Sequence, residues 1–282
     1  MTWSRRWGIA LGLLLSCGLS LAPGLAQASH EPFAVYEDWQ SAPEIRGDRW
    51  SGLIDSAQEV ERRIQGHHLV MRYRKVGLLT IADVGSINAF HRLTAANPVV
   101  IDQLEADVEV NRFEVSGCAA NVTPSATVPA ALTLTKFNDG TAGGPGNGTG
   151  DHLARIRVRR VSTSTDPEGV LAVEGSLFRC GDPACVGGAF VFLERIGTVT
   201  VGERFTLRLI WDSPNNQFIY GVGDLDVAIP YAPGLNVRPA FGGQLADLRM
   251  QATVANCTTA RTEADAEIKV YEIRANASAV IP

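Results

Sequence analysis

Beyond its first residues the chain has no apolar run near the ~20 residues that a membrane-spanning helix requires. Basic residues are neither abundant nor clustered: 25 Lys and Arg stand against 30 Asp and Glu, a formal charge of -5. That balance argues against nucleic acid and anionic membranes as partners, since both call for concentrated Lys and Arg. The five histidines, His30, His67, His68, His91 and His152, form no His-Glu-x-x-His pair, and adjacent His67 and His68 would point to opposite sides of a strand. No Gly-x-Ser-x-Gly elbow is present. Cys180 and Cys185 are wrongly spaced for a zinc knuckle and have no histidine beside them. Internal repeats and linkers rich enough to divide the chain are also lacking. These absences leave no expected cofactor, with structural calcium as the one ion to keep in view.

What is present begins with a leader. Arg5 and Arg6 precede an apolar stretch from Ile9 to Leu15, and Ala26-Gln27-Ala28 offers small residues before Ser29. This order predicts a secretory signal peptide over 1–28, cleaved after Ala28, and a periplasmic or secreted product. Two variants are weighed against it. Ser4-Arg5-Arg6 suggests a twin-arginine signal, but Gly8 stands where a large apolar residue belongs. Leu14-Leu15-Ser16-Cys17 is a poor lipobox that would anchor the chain through Cys17. Cleavage would remove two arginines and no acids, moving the charge from -5 to -7.

Cleavage would also leave Cys118, Cys180, Cys185 and Cys257 in an oxidising compartment, where four cysteines read as two disulfides. The turn sequence Cys180-Gly-Asp-Pro-Ala-Cys185 can bring its own ends together, and Cys118 and Cys257 then pair by elimination.

The mature chain reads as strands. Phe205, Leu207, Leu209 and Trp211 alternate with Arg204, Thr206, Arg208 and Ile210, the period of a strand with one face in a core. A Ser-Pro-Asn-Asn turn follows, then an extended run through Phe218, Ile219 and Tyr220. Val60–Ile64 and Leu69–Val76 predict a hairpin around Gln65-Gly66, with a short helix as the alternative for Ser56–Ile64. Leu104–Val115 predicts a long strand, and Ala131–Phe137, Leu153–Val161, Val170–Arg179 and Val191–Ile196 continue the meander. Leu245–Ala255 and Ala266–Ile273 close it. Trp39 and Trp50 are the aromatic pair expected to seal one edge of the core. The whole predicts a single all-β antiparallel sandwich domain over 29–282. Asn138–Gly150 is rich in glycine but leads into a strand rather than a helix, so it predicts a hairpin loop, not a phosphate cradle. Asn138, Asp139 and Asp151 there are candidates for calcium or sugar, without EF-hand spacing.

The order of these features resembles the concanavalin A-like lectin and glucanase jelly roll. It runs from Tyr36-x-x-Trp39 and Arg49-Trp50, through Gly202-Glu-Arg-Phe-Thr-Leu-Arg-Leu-Ile-Trp211-Asp212, to Asn216-x-Phe218 and the strand Ile268–Asn276. The resemblance implies two curved sheets, the concave one offering a ligand groove. Glu105-Ala-Asp107-Val-Glu109 is similar to the Glu-x-Asp-x-Glu strand of family 16 glycoside hydrolases, which would make Glu105 the nucleophile, Asp107 the assisting acid and Glu109 the acid/base. Those hydrolases carry a large aliphatic residue where Ala106 stands. From the residues alone, the three acids share one strand face opposite Leu104, Ala106, Val108 and Val110. Arg155, Arg157 and Arg159 alternate in the same way, so acid and base rows on adjacent or next-adjacent strands would form a ladder.

The expectation is therefore a non-enzymatic recognition module for a carbohydrate or envelope polymer. Its binding candidates are Glu105, Asp107, Glu109, Arg155, Arg157, Arg159, Asp139 and, as a stacking ring near a loop, Tyr220. Tyr231 is a second stacking candidate. The alternatives are a family 16-like hydrolase and a structural or adhesion domain with a protein partner; oligomeric state is not indicated.

Overall fold

The computed structural model describes residues 30–40, 43–55, 59–83, 85–118, 126–141 and 144–280. The leader over 1–28 with its cleavage site, and Cys17, lie outside the described residues. Among the described residues sixteen strands follow one another: β1 Phe33–Glu37, β2 Trp50–Asp55, β3 Glu59–Ile64, β4 Leu69–Val76, β5 Ser86–Ala95, β6 Gln103–Val115, β7 Ala126–Asn138 and β8 Asp151–Val161. They continue as β9 Val170–Cys180, β10 Gly188–Thr200, β11 Arg204–Asp212, β12 Gln217–Val222, β13 Leu225–Pro230, β14 Arg238–Pro239, β15 Leu245–Ala255 and β16 Glu263–Asn276. Glu59–Ile64 is a strand, so the helical alternative there falls.

The strands form two antiparallel sheets of eight, packed face to face as a jelly-roll β-sandwich. Sheet I has the order β13-β12-β11-β6-β16-β4-β3, with β1 also paired to β16. Sheet II has the order β10-β9-β8-β7-β15-β5-β2, with β14 paired to β7. The chain repeatedly crosses between layers, so each strand needs apolar residues on the inner face only. Leu104, Ala106, Val108 and Val110 of β6 meet Leu132 and Leu134 of β7 and Ala154, Ile156 and Val158 of β8 in one buried cluster. Trp39 and Trp50 stack with ring centroids 6.0 Å apart, both buried, as the sequence predicts. Gly202, with φ +84°, turns the chain between β10 and β11, and Asn216 takes the left-handed conformation before β12.

Tyr220 crosses the core. Its ring lies over Gly175 of β9, where an added Cβ would stand 2.9 Å from the ring, and its hydroxyl donates to the Ser176 carbonyl at 3.0 Å. The expectation of a loop-side stacking ring is therefore corrected: Tyr220 is fully buried. Tyr231 is likewise buried and accepts a hydrogen bond from Trp211 Nε1.

Both predicted disulfides are formed, Cys118–Cys257 and Cys180–Cys185. The first joins the chain just after β6 in sheet I to the chain just after β15 in sheet II. A grouping of Asp83 with Cys118 and Cys257 offers no metal donor set, because both sulfurs are spent in the disulfide.

His91 on β5 is fully buried, and neither ring nitrogen has a hydrogen-bond partner. Burial, reinforced by the nearby Arg62 charge, lowers its pKa to about 4. The unfolded chain then binds a proton that the folded chain refuses. The neutral ring's contribution is complete above pH ~6.5 and is lost as the pH falls toward about 4. A shift of this size corresponds to about 3 kcal/mol. His91→Leu should be less sensitive than the parent across that window; urea titrations at several pH values that run parallel for both proteins would contradict the assignment.

Candidate functional site

The two sheets expose two outer faces, and the sequence-predicted residues divide between them. Glu105, Asp107 and Glu109 project together from β6, at the middle of sheet I. Their neighbours by register are β11 and β16. Glu105 accepts from Arg208 Nε at 2.9 Å and Arg274 Nη1 at 2.7 Å. Asp107 accepts from Arg204 Nε at 2.8 Å, and Arg204 also lies over the Tyr271 ring, 3.9 Å from its centroid. Glu109 accepts from Lys269 Nζ at 3.1 Å and from the Tyr271 hydroxyl at 2.6 Å. That Tyr271 hydrogen bond, with Lys269 behind it, holds the Glu109 carboxyl below the usual carboxylate range despite partial burial. The ladder is real, but its cations come from β11 and β16.

Arg155, Arg157 and Arg159 lie elsewhere, on β8 in sheet II, and face away from Glu105, Asp107 and Glu109. The expected pairing with the acids is corrected: inward Ala154, Ile156 and Val158 turn these arginines to the far side of the sandwich. There, register sets Ser176, Arg155, Thr133, Asp247 and Thr94 in one row across β9, β8, β7, β15 and β5. The next row holds Glu174, Arg157, Ala131, Arg249 and Arg92.

This second face is recessed and polar. Thr133 and Asp247 have no exposed surface, while Thr135, Arg157 and Arg249 are buried. Arg157 and Arg159 share Glu174, at 2.8 and 3.1 Å. Arg249 Nη2 donates to Asp247 Oδ2 at 3.2 Å, with Arg92 Nη1 3.8 Å from the same oxygen. Arg155 reaches no carboxylate within ion-pair distance among the described residues; its Nη1 donates to Gln251 Oε1 at 3.3 Å. Burial, with Arg249 and Arg157 beside it, pulls the Arg155 guanidinium well below the usual arginine range. Burial does the same to Arg249 more mildly.

Several buried polar atoms of this face have no partner: Nε of Arg92, Arg155, Arg159 and Arg249, Oγ1 of Thr133 and Thr135, and Oδ1 of Asp247. Buried polar groups are ordinarily hydrogen-bonded, so a cluster of such atoms on one face stands out. Phenyl rings flank it. Arg92 lies 5.7 Å from the Phe90 centroid and Arg157 5.9 Å from that of half-exposed Phe190. Of this group, Thr133, Thr135, Asp247, Arg249 and Arg92 escaped the sequence reading. For Asp247 and Arg249 the signal was the alternation Asp247, Arg249, Gln251 against Leu248, Met250, Ala252.

The remaining candidates do structural work. Asp151 accepts from Asn138 Nδ2 at 2.7 Å and from the backbone N–H of Phe241 and Gly242 at 2.9 and 2.7 Å, tying two loops together. Asp139 is bound by Arg179 Nε at 2.6 Å. A separate cleft of about 490 Å³ opens on the long side between β2 and β3, lined by Ile45, Trp50, Arg62, Ile64 and Leu93 among others.

No protein-family model matches the chain. No curated protein matches it either. Among solved structures it is similar to LamAcat from Zobellia galactanivorans at 8% identity and TM-score 0.43, covering 86% of this chain and 98% of that one. It is also similar to SCLam, a non-specific endo-β-1,3(4)-glucanase from family GH16, at 10% identity and TM-score 0.43, covering 88% and 92%. A third is lectin I-B4 from Griffonia simplicifolia, at 10% identity and TM-score 0.37, covering 86% and 98%.

Proposed function

We propose that this is an exported, single-domain recognition module that binds a glycan or envelope polymer without cleaving it, on the outer face of sheet II. One observation carries the reading: that face holds unpartnered buried donors and acceptors side by side. A ligand supplying many hydroxyls answers both kinds of group, and a sugar chain does so along its length. The flanking phenyl rings give the apolar faces of sugar rings something to rest on.

Support for a non-enzymatic role comes from the other face. A glycosidase needs one carboxyl kept protonated near neutral pH beside a free nucleophile. Glu105, Asp107 and Glu109 are each held by cations, and Glu109 is shifted toward the ionised form. The described residues include two disulfides and no helix long and apolar enough to cross a membrane, which accords with an oxidising compartment outside the cytoplasm. Export through the leader cleaved after Ala28 is part of the proposal.

Glu105→Gln and Glu109→Gln should leave glycan binding on an array within about a factor of two of the parent, since each removes ion pairs that lie on the opposite face. No variant, and not the parent, should release reducing sugar from a β-glucan panel. Release by the parent that disappears in either variant would replace this reading with the hydrolase. An array without any bound glycan would favour the structural or adhesion role.

A further inference from the structure

Resting on that reading, we infer that the ligand of the sheet II face is an acidic glycan, and that Arg155 and Arg249 receive the carboxylate of a uronate residue while Asp247 and Thr133 take up its hydroxyls.

The charge count of the face comes first. Arg92 and Arg249 share Asp247, Arg157 and Arg159 share Glu174, and Arg155 has no carboxylate within ion-pair distance among the described residues, in a chain whose formal charge is -5. An acidic protein thus keeps a cationic floor. Exposed arginines would have little consequence, because water screens them. These are recessed, and among the described residues the Arg155 side chain has only the neutral Gln251 amide as a hydrogen-bond partner. A cation desolvated without a counter-ion costs free energy, and an arriving anion recovers it.

The geometry favours a planar anion. A guanidinium presents its Nε and Nη donors as a fork that matches a carboxylate in two parallel hydrogen bonds. Arg155 and Arg249 each retain an unpartnered Nε. They come from β8 and β15, separated by β7, whose facing residues are Ala131 and Thr133. Those small side chains, both buried, stand in the rows between the two arginines. Asp247 Oδ1 and Thr133 Oγ1, buried and without a hydrogen-bond partner, stand in the same row as Arg155. A bare inorganic anion would offer Asp247 Oδ1 no hydrogen-bond donor. A sugar ring that carries both an acid and hydroxyl groups uses both.

The test is calorimetric titration of the disulfide-intact protein with hexagalacturonate, maltohexaose as the neutral hexasaccharide, and a sulfated maltohexaose. The parent should bind hexagalacturonate about tenfold or more tighter than maltohexaose, and raising NaCl from about 20 to about 300 mM should weaken that binding several-fold. Arg155→Gln, whose parent side chain makes one neutral hydrogen bond, should fold normally by thermal melting. It should lose hexagalacturonate affinity by about tenfold while affinity for maltohexaose stays put. Arg155→Lys, which keeps the charge but not the fork, should fall well below the parent. Equal binding of the acidic and neutral hexasaccharides would overturn the acidic inference and leave glycan recognition standing. A preference for the sulfated chain over the uronate would overturn the carboxylate assignment, as would Arg155→Gln binding uronate like the parent. Failure of all three oligosaccharides to bind would instead remove the recognition reading beneath it.

Discussion

Replacing Cys118 and Cys257 together by alanine is expected to lower the unfolding free energy by about 3–5 kcal/mol, measured by urea titration under non-reducing conditions. The bond closes a sequence separation of 139 residues, so its removal returns a large conformational freedom to the unfolded chain. The same change at Cys180 and Cys185, separated by 5 residues, should cost only about 2 kcal/mol on the same entropy model. The comparison matters more than either number. Equal losses in the two double variants would mean that local geometry, not chain entropy, governs both.

Phe137→Ala should have a comparable effect, about 3–5 kcal/mol, because it removes a fully buried ring and leaves a cavity. Phe137 sits on β7 of sheet II and contacts rings from several elements. Its centroid is 4.9 Å from His152, 5.1 Å from Tyr231, 5.9 Å from Trp211 and 6.2 Å from Phe218. Trp211 and Phe218 belong to sheet I, so this ring pins the two layers at one end. Near-UV circular dichroism should lose aromatic intensity as the midpoint of unfolding falls. Phe190→Ala, on an exposed edge, should change stability by about 0.5 kcal/mol or less. A Phe137 variant as mild as the Phe190 one would show that the end of the sandwich can collapse around the missing ring.

Which side of a strand faces inward was legible in the sequence, because alternation is a local property. The acids of β6 and the arginines of β8 were both assigned outward, and both are. Which strand lies next to which was not legible, because pairing joins residues far apart in the chain. Arg155, Arg157 and Arg159 matched the acids in pattern, yet so did Arg204 and Arg208, already read as the outward residues of their strand. Nothing local distinguishes the two rows, and the topology placed β11 beside β6 and β8 in the other sheet. Tyr220 was misread for a different reason. Nearness to a turn suggested exposure, whereas the two-residue period from Phe218 places both rings on the same inner face. The recessed floor of sheet II is assembled from β5, β7, β8, β9 and β15, so no single stretch of sequence displays it.

The acid row of β6 has a consequence for how the chain reaches its folded form. Every cation that neutralises it arrives late: Arg204 and Arg208 lie 97 and 103 residues downstream of their partners, Lys269 and Arg274 160 and 169. While the nascent polypeptide lacks β11 and β16, three negative groups stand in line on a strand that otherwise offers an apolar side and open edges. Such a strand repels a second copy of itself, which guards the slow interval that distant pairings impose against misassociation between neighbouring chains.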